Sequence, residues 1–377
     1  MNRLFLFLLL LLLHSSCNKN YQTLNQSATA QNIILLIGDG MGLSQVSSTF
    51  YFQEETPSFV RFPFIGLHQP QPTDARITDS AAGATAFSTG YKSYNAAIGV
   101  DGDTIPRETI LEIAARRGMK TGVIATSSIT HATPASFYAH VPDRNLHEAI
   151  AAQLADAPVD FFAGGGIQFF AQREDGVNYL NRLRSQGFTT DTVRLPSRIN
   201  PDKKYGFLLA PDGMPRMQQG RSDFLPRATK LALKHLSENE QGFFLMVEGS
   251  QIDWGGHAND ARYIIEEMKD FDRTIQVALD FAERKGNTLV VVTADHETGG
   301  FALSAAEVRR RGDYRHIRPT FSTGGHTAAL IPVFAYGPGA ERFAGIYQNS
   351  DIFGKMMAAM GLKQDKGKRI RLEVTDR

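Results

Sequence analysis

The stretch Asn32–Gly42, NIILLIGDGMG, is apolar on consecutive residues from Ile33 to Ile37 and then stops at Gly38, Asp39 and Gly40. An unbroken apolar run of strand length marks a strand covered on both faces, as in a sheet held between layers of helices. Runs of the same kind recur as TGVIAT from Thr121, FFLMV from Phe243, TLVVV from Thr288 and IPVFAY from Ile331. Helical patterns lie between them: RETILEIAARRG precedes the second run and ARYIIEEMKDFDRTIQVALDFAERKG the fourth. The alternation predicts an α/β architecture.

A chain of 377 residues fits one large α/β domain or two ordinary ones. One is favoured, because the runs on both sides of the region 160–227 belong to one sheet. That region is richer in Gly, Pro and charge, and AGGGIQFFAQRED and SRINPDKKYG read as loops. A net charge of +1 argues against a nucleic-acid partner, and 42% hydrophobic with 21% charged residues describe an ordinary globular protein. The N-terminus MNRLFLFLLLLLLHSSCNKN carries Arg3, an apolar stretch and small residues before Cys17, the one cysteine of the chain. It reads as a signal peptide, residues 1–17, whose Cys17 takes a lipid and anchors the protein to a membrane in the periplasm or cell envelope. Cleavage near Ser16 without a lipid is the alternative. Residues 18–31 are polar and suit a tether, and 364–377 form a charged tail or an edge strand.

Several runs end in groups that bind cations. Asp39 closes the first; Glu248, Asp253 and His257 follow the third in VEGSQIDWGGH; Asp295 and His296 follow the fourth in TADHETGG; and His326 stands in a Gly-rich loop before the fifth. Sites in open α/β sheets form beyond the carboxyl ends of strands, so these residues can converge. Each also has a plainer reading: Asp39 as a turn residue, Asp253 and His257 as an ion pair on a helix face, and Asp295 with His296 as a cap. The stretch RITDSAAGATAFSTGYKS, Arg76–Ser93, sets Asp79 and Ser80 before a run of very small residues. It is either a capped packing helix or the seat of a nucleophile.

Taken together, ILLIGDGMG, TDSAAGATAFSTG, THATPASFYAHVPDR, VEGSQIDWGGH, TADHETGG and the GGH before LIPVFAYGP resemble the alkaline phosphatases, in that family's order and across most of the chain. The resemblance implies a three-layer α/β sandwich with a large, mostly parallel central sheet, a catalytic domain over 32–363, and hydrolysis of phosphate monoesters by a chain that pairs as a homodimer. It implies Ser80 as nucleophile, Arg144 as the grip on phosphate and Asp79 as its support. It also implies two zinc ions, one held by Asp253, His257 and His326 and the other by Asp39, Asp295 and His296. A third site, usually magnesium, would take Asp39, Thr133 and Glu248.

Two residues depart from the enterobacterial pattern: His131 stands where that form has an Asp near magnesium, and Trp254 where it has a Lys near phosphate. The short connection from His296 to His326 implies that the crown region of vertebrate members is absent or reduced. Among rivals, a sulfatase needs a different motif at the nucleophile, and a phosphodiesterase of the same superfamily commonly uses Thr and lacks the third site. A non-enzymatic zinc-binding surface lipoprotein would have no need of Ser80 or Arg144.

Overall fold

The computed structural model describes residues 29–306 and 313–362; Cys17 and the charged tail lie outside them. Ten strands form one sheet in the order β14-β2-β13-β8-β1-β7-β3-β4-β6-β5. In chain order these are β1 (Asn32–Gly38), β2 (Phe64–Gln69), β3 (Lys120–Ser128), β4 (Phe161–Gly165), β5 (Phe188–Asp191), β6 (Lys204–Leu208), β7 (Phe243–Gly249), β8 (Thr288–Thr293), β13 (Ile331–Tyr336) and β14 (Gly345–Gln348). Two short ribbons add β9 (Glu297–Thr298) with β12 (His326–Thr327), and β10 (Ala302–Ala305) with β11 (Ile317–Thr320). Within the large sheet only β13 runs against its neighbours, β2 and β8.

The five apolar runs read from the sequence are β1, β3, β7, β8 and β13, and they lie side by side at the centre of the sheet. Every residue of β1, β7 and β8 is buried, and successive residues feed opposite faces. Ile33, Leu35 and Ile37 join one apolar core while Ile34 and Leu36 join the other. Helices cover both faces, among them α1 (Leu43–Phe52), α2 (Ser80–Thr89), α3 (Ile110–Arg116), α4 (His147–Asp156), α5 (Phe224–Leu236), α6 (Gln251–His257), α7 (Ala261–Lys285) and α8 (Asp351–Ala359). No helix among the described residues is long and apolar enough to cross a membrane.

Two expectations need correction. The region 160–227 is not merely loop, since β4, β5 and β6 extend the sheet there; β4 takes the first residues of AGGGIQFFAQRED and β6 the last of SRINPDKKYG. Nor does the tether reach Gln31: Ala30 is buried, its N–H bonds Ala359 O at 2.8 Å, and the Gln31 N–H bonds Asn287 O at 3.0 Å.

The small residues around Ser80 have a steric cause. All ten residues of α2 are buried, and the helix runs so near β8's exit that a Cβ on Gly83 would sit 2.9 Å from the Cβ of Asp295. Gly83→Ala is therefore expected to cost about 1–3 kcal/mol of stability by overpacking and to lower activity by displacing Asp295. Denaturant midpoints and rates measured on the same variant check this, and wild-type values for both would mean that the contact yields freely.

Candidate active site

The site lies where β1, β7 and β8 end. Asp39 follows β1 directly, Glu248 is the penultimate residue of β7, and Asp295 with His296 follow β8. Gly40 turns the chain with φ +74°, and a Cβ there would approach Asp253 Cα to 2.7 Å, so the turn admits only glycine. Asp253 and His257 come from α6, whose Gln251 is held by Thr126 O at 2.9 Å, Met214 O at 2.6 Å and the Tyr263 hydroxyl at 2.8 Å. His326 opens β12, paired with β9 through Thr298.

The candidate ligands fall into overlapping sets. Asp39, Asp295 and His296 converge, with His296 Nε2 lying 3.5 Å from Asp39 Oδ1 and 3.2 Å from Asp295 Oδ2. Asp253, His257 and His326 also meet: the two Nε2 atoms are 3.1 Å apart and lie 3.4 and 3.6 Å from Asp253 Oδ1. His296 stacks on His326 with ring centroids 3.6 Å apart, so it also stands within reach of this second set. A third set joins Asp39, Glu248 and His131, beside the hydroxyl of Thr133.

Protonation states show what such a cluster demands. His257 Nδ1–H donates to Gly324 O at 2.7 Å and His326 Nδ1–H to Thr78 O at 2.9 Å. In their neutral forms both rings therefore turn Nε2 lone pairs toward each other and toward a carboxylate. Both carboxylate oxygens of Asp39, Oε1 of Glu248, Oδ2 of Asp295 and Oγ1 of Thr133 are buried without a partner. Burial, with the charges of Asp295 and Asp253, drives the Asp39 carboxyl well above its ordinary range. Burial pushes Glu248 up to about 7, and burial with Asp253 pushes Asp295 up to about 6. Burial, helped by the neighbouring His326 and Arg144, drives His296 well down. Converging lone pairs and unpartnered buried oxygens fit divalent cations, and the mixture of carboxylate, imidazole and hydroxyl suits zinc and magnesium.

Ser80 is the first residue of α2, only 2% exposed, with Oγ 3.3 Å from His296 Nε2. Asp79 settles the cap question by doing two things. Its Oδ1 accepts the Ala82 N–H at 3.0 Å, capping α2, while Oδ2 accepts Arg144 Nη1 and the Ala96 N–H, each at 3.0 Å. Arg144 Nη2 donates to His131 Nε2 at 3.1 Å, and burial together with that cation pushes His131 down to about 3. Trp254 stands edge-on to His131 with centroids 6.2 Å apart. No helix follows Asp295 and His296, which lead into β9 instead; Asp253 and His257 do share a helix face.

Sequence reasoning missed Thr298. Its Oγ1 donates to Asp253 Oδ1 at 2.5 Å and accepts the His296 Nδ1–H at 3.2 Å, so one hydroxyl orients a member of each of two sets. A threonine two residues after a histidine gives no signal by itself. Glu297 was missed as well: it accepts from Gln45 of α1 at 2.9 Å and from Thr327, tying both ribbon strands to that helix. Thr298→Val keeps the shape and removes both bonds. Divalent-metal affinity by chelator competition is expected to weaken about 10–100-fold, with Thr298→Ser restoring most of it; unchanged affinity in the valine variant would remove Thr298 from this role.

The sequence profile of the alkaline phosphatase family matches residues 30–315. Alkaline phosphatase 3 of Bacillus subtilis is 33% identical, over 88% of this chain and 89% of that protein. The alkaline phosphatase of Escherichia coli is 32% identical, over 89% of this chain and 87% of that one. The solved alkaline phosphatase of the Antarctic bacterium TAB5 is 54% identical and superposes with a TM-score of 0.86, covering 89% of this chain and 99% of its own. A histidine-to-aspartate variant of that enzyme has magnesium bound in its M3 site. With its ten-stranded α/β sandwich, the chain belongs to the alkaline phosphatase family and is a phosphatase.

Proposed function

We propose that this phosphatase hydrolyses phosphate monoesters through a covalent phosphoserine on Ser80, with two zinc ions and a third divalent cation at the three ligand sets. The observation that carries the reading is the meeting of unpartnered buried oxygens and imidazole lone pairs at the Oγ of a serine that opens a helix. Asp253, His257 and His326 would hold one zinc, Asp39, Asp295 and His296 the other, and Asp39, Thr133 and Glu248 the third cation, with His131 beside it. Divalent cations bound there lower the cost of ionising a hydroxyl and stabilise charge on the attacking and leaving oxygens.

The protein's own groups supply the rest. The N–H groups that open α2 favour negative charge at Ser80. Arg144, steered by Asp79, offers a planar fork to two phosphate oxygens. Ser80 gives up its Oγ proton to water and forms its bond to phosphorus as the bond to the alcohol oxygen breaks, and the departing alkoxide takes a proton from water. A water then attacks phospho-Ser80 from the vacated side, releasing phosphate and restoring the hydroxyl. Two in-line displacements retain configuration at phosphorus. Phosphate held mainly by cations and Arg144 leaves the alcohol portion little read, which suits a broad range of monoesters. The lipid on Cys17 and an envelope location belong to the same reading and rest on the N-terminal sequence.

Acid quenching of zinc-restored enzyme with labelled phosphate is expected to leave label on Ser80, while enzyme stripped of metal by a chelator takes none. Ser80→Ala should lose the label and on the order of 10³-fold or more in kcat. Label persisting in that variant, or full activity after exhaustive metal removal, refutes the mechanism.

The third site carries a neutral imidazole at His131, and magnesium prefers oxygen ligands and negative charge. His131→Asp is expected to tighten magnesium by about tenfold, equivalent to about 1.4 kcal/mol, in calorimetric titration with the zinc sites filled. The magnesium-bound histidine-to-aspartate variant of the TAB5 enzyme supports this direction. Trp254→Lys should tighten inhibition by phosphate through its added cation. If neither constant moves as stated, local charge does not govern these two positions.

A further inference from the structure

Helices α5 and α7 lie against each other on one face of the sheet. Between their outer surfaces, walled by Pro196 and Ser197, runs a groove of about 690 Å³. Leu231, Val277 and Phe281 line its apolar part, and Arg227, Lys230, Lys234, Arg284 and Lys285 stand exposed around it. The lining carboxylate, Asp280, is taken up by Arg61 at 2.8 Å, which holds Glu283 at the same distance. No ion pair among the described residues engages Lys230, Lys234, Arg284 or Lys285. In a chain whose net charge is +1, this is a local concentration of cations.

Its place in the fold selects the partner. The groove begins at Val277, about 24 Å along α7 from the end that abuts the catalytic site, counting 1.5 Å per residue from Ala261. Substrate steering is therefore a poor use for it. Lys285 also lines a pocket with Gln31, Asn32, Asn287 and the carboxylates Glu238 and Glu240, so the chain enters the fold beside the groove, at its less basic end. If Cys17 carries a lipid, residues 18–28 span at most about 40 Å, and the bilayer is never farther from this end of the molecule than that.

We propose that the α5–α7 groove is the face this protein rests on an anionic phospholipid surface, its lysines and arginines among the headgroup phosphates. The charge that makes the groove is independent of the anchor; the anchor, which rests on the reading of Cys17, only holds the surface near. A basic patch adds about fivefold in affinity for anionic headgroups, equivalent to about 1 kcal/mol, per lysine or arginine at the surface, and fixes which face meets the bilayer.

The test is amine footprinting of the zinc-loaded protein as purified from cells, added to vesicles of phosphatidylcholine alone or mixed equally with phosphatidylglycerol. Lys230, Lys234 and Lys285 are expected to acylate severalfold more slowly on the phosphatidylglycerol vesicles. High salt should restore their reactivity, and Lys92 and Lys355, the latter on α8 against the opposite core of the sheet, should not change. The variant Lys230→Ser/Lys234→Ser/Arg284→Ser should keep full phosphatase activity and lose vesicle affinity by about fivefold per charge removed. Equal reactivity on both vesicles, equal slowing of the control lysines, or undiminished affinity of the variant overturns the proposal. So does protection by soluble heparin with none by vesicles, which would make the groove a polyanion site. The mass of the Cys17 peptide in the same digest reports the lipid separately, so failure of the anchor and failure of the groove are told apart.

Discussion

Asp39, Glu248, Asp253 and Asp295 are all buried and gathered around one point, and everything else in the fold is arranged so that they can stay there. Each buried carboxylate costs several kcal/mol in desolvation, and mutual repulsion adds to it. A flexible chain would relieve the strain by moving them into water. Here Asp39, Glu248 and Asp295 issue from three neighbouring strands whose registers are locked, Ile37 against Glu248 on one side and against Thr293 on the other, and Asp253 comes from α6 just beyond β7. The apolar cores on the two faces of the sheet supply the free energy that makes this positioning stick. Two ways remain to lower the cluster's energy: protonation, toward which burial already pushes Asp39, Glu248 and Asp295, and the uptake of cations.

The helix that begins at Ser80 shows the same trade on a smaller scale. Glycine inside a helix costs about 1 kcal/mol relative to alanine, yet Gly83 sits there because anything larger strikes Asp295. Asp79 compounds the economy, since one carboxylate both caps α2 and holds Arg144. Movement of the arginine is thereby felt at the start of the helix that Ser80 opens.

How much of this was legible depends on how strongly burial stamps the sequence. Strands β1, β3, β7, β8 and β13 have neighbours on both sides and helices on both faces, so nearly every residue is buried and each strand carries an unbroken apolar stretch that stands out. The flanking strands do not announce themselves. Strand β2 alternates between exposed and buried residues, β5 is FTTD, and β6 starts at a lysine straight after a polar turn. The ligand candidates were visible because they recur at strand exits, and the small residues near Ser80 because their lack of bulk is itself a pattern. Thr298 and Glu297 were invisible for the opposite reason. They act through contacts with Asp253, Gln45 and Thr327, residues distant in sequence, and only the folded chain brings those together.

Strand β13 is the one reversed strand of the sheet, and this decides where His326 comes from. The chain leaves the catalytic site after His296, at the exit of β8, and returns to it at His326, ahead of the entrance to β13. The described residues between form an excursion moored at both ends to the same cluster. Phe301, with Leu303 and Phe321 beside it, pins the excursion to one apolar core, so variation confined to its outer residues can reshape the approach to the site without disturbing the sheet. The mooring also works in reverse: whatever loosens the cluster slackens both ends of the excursion together, and the vestibule and the chemistry beneath it are gained or lost as one.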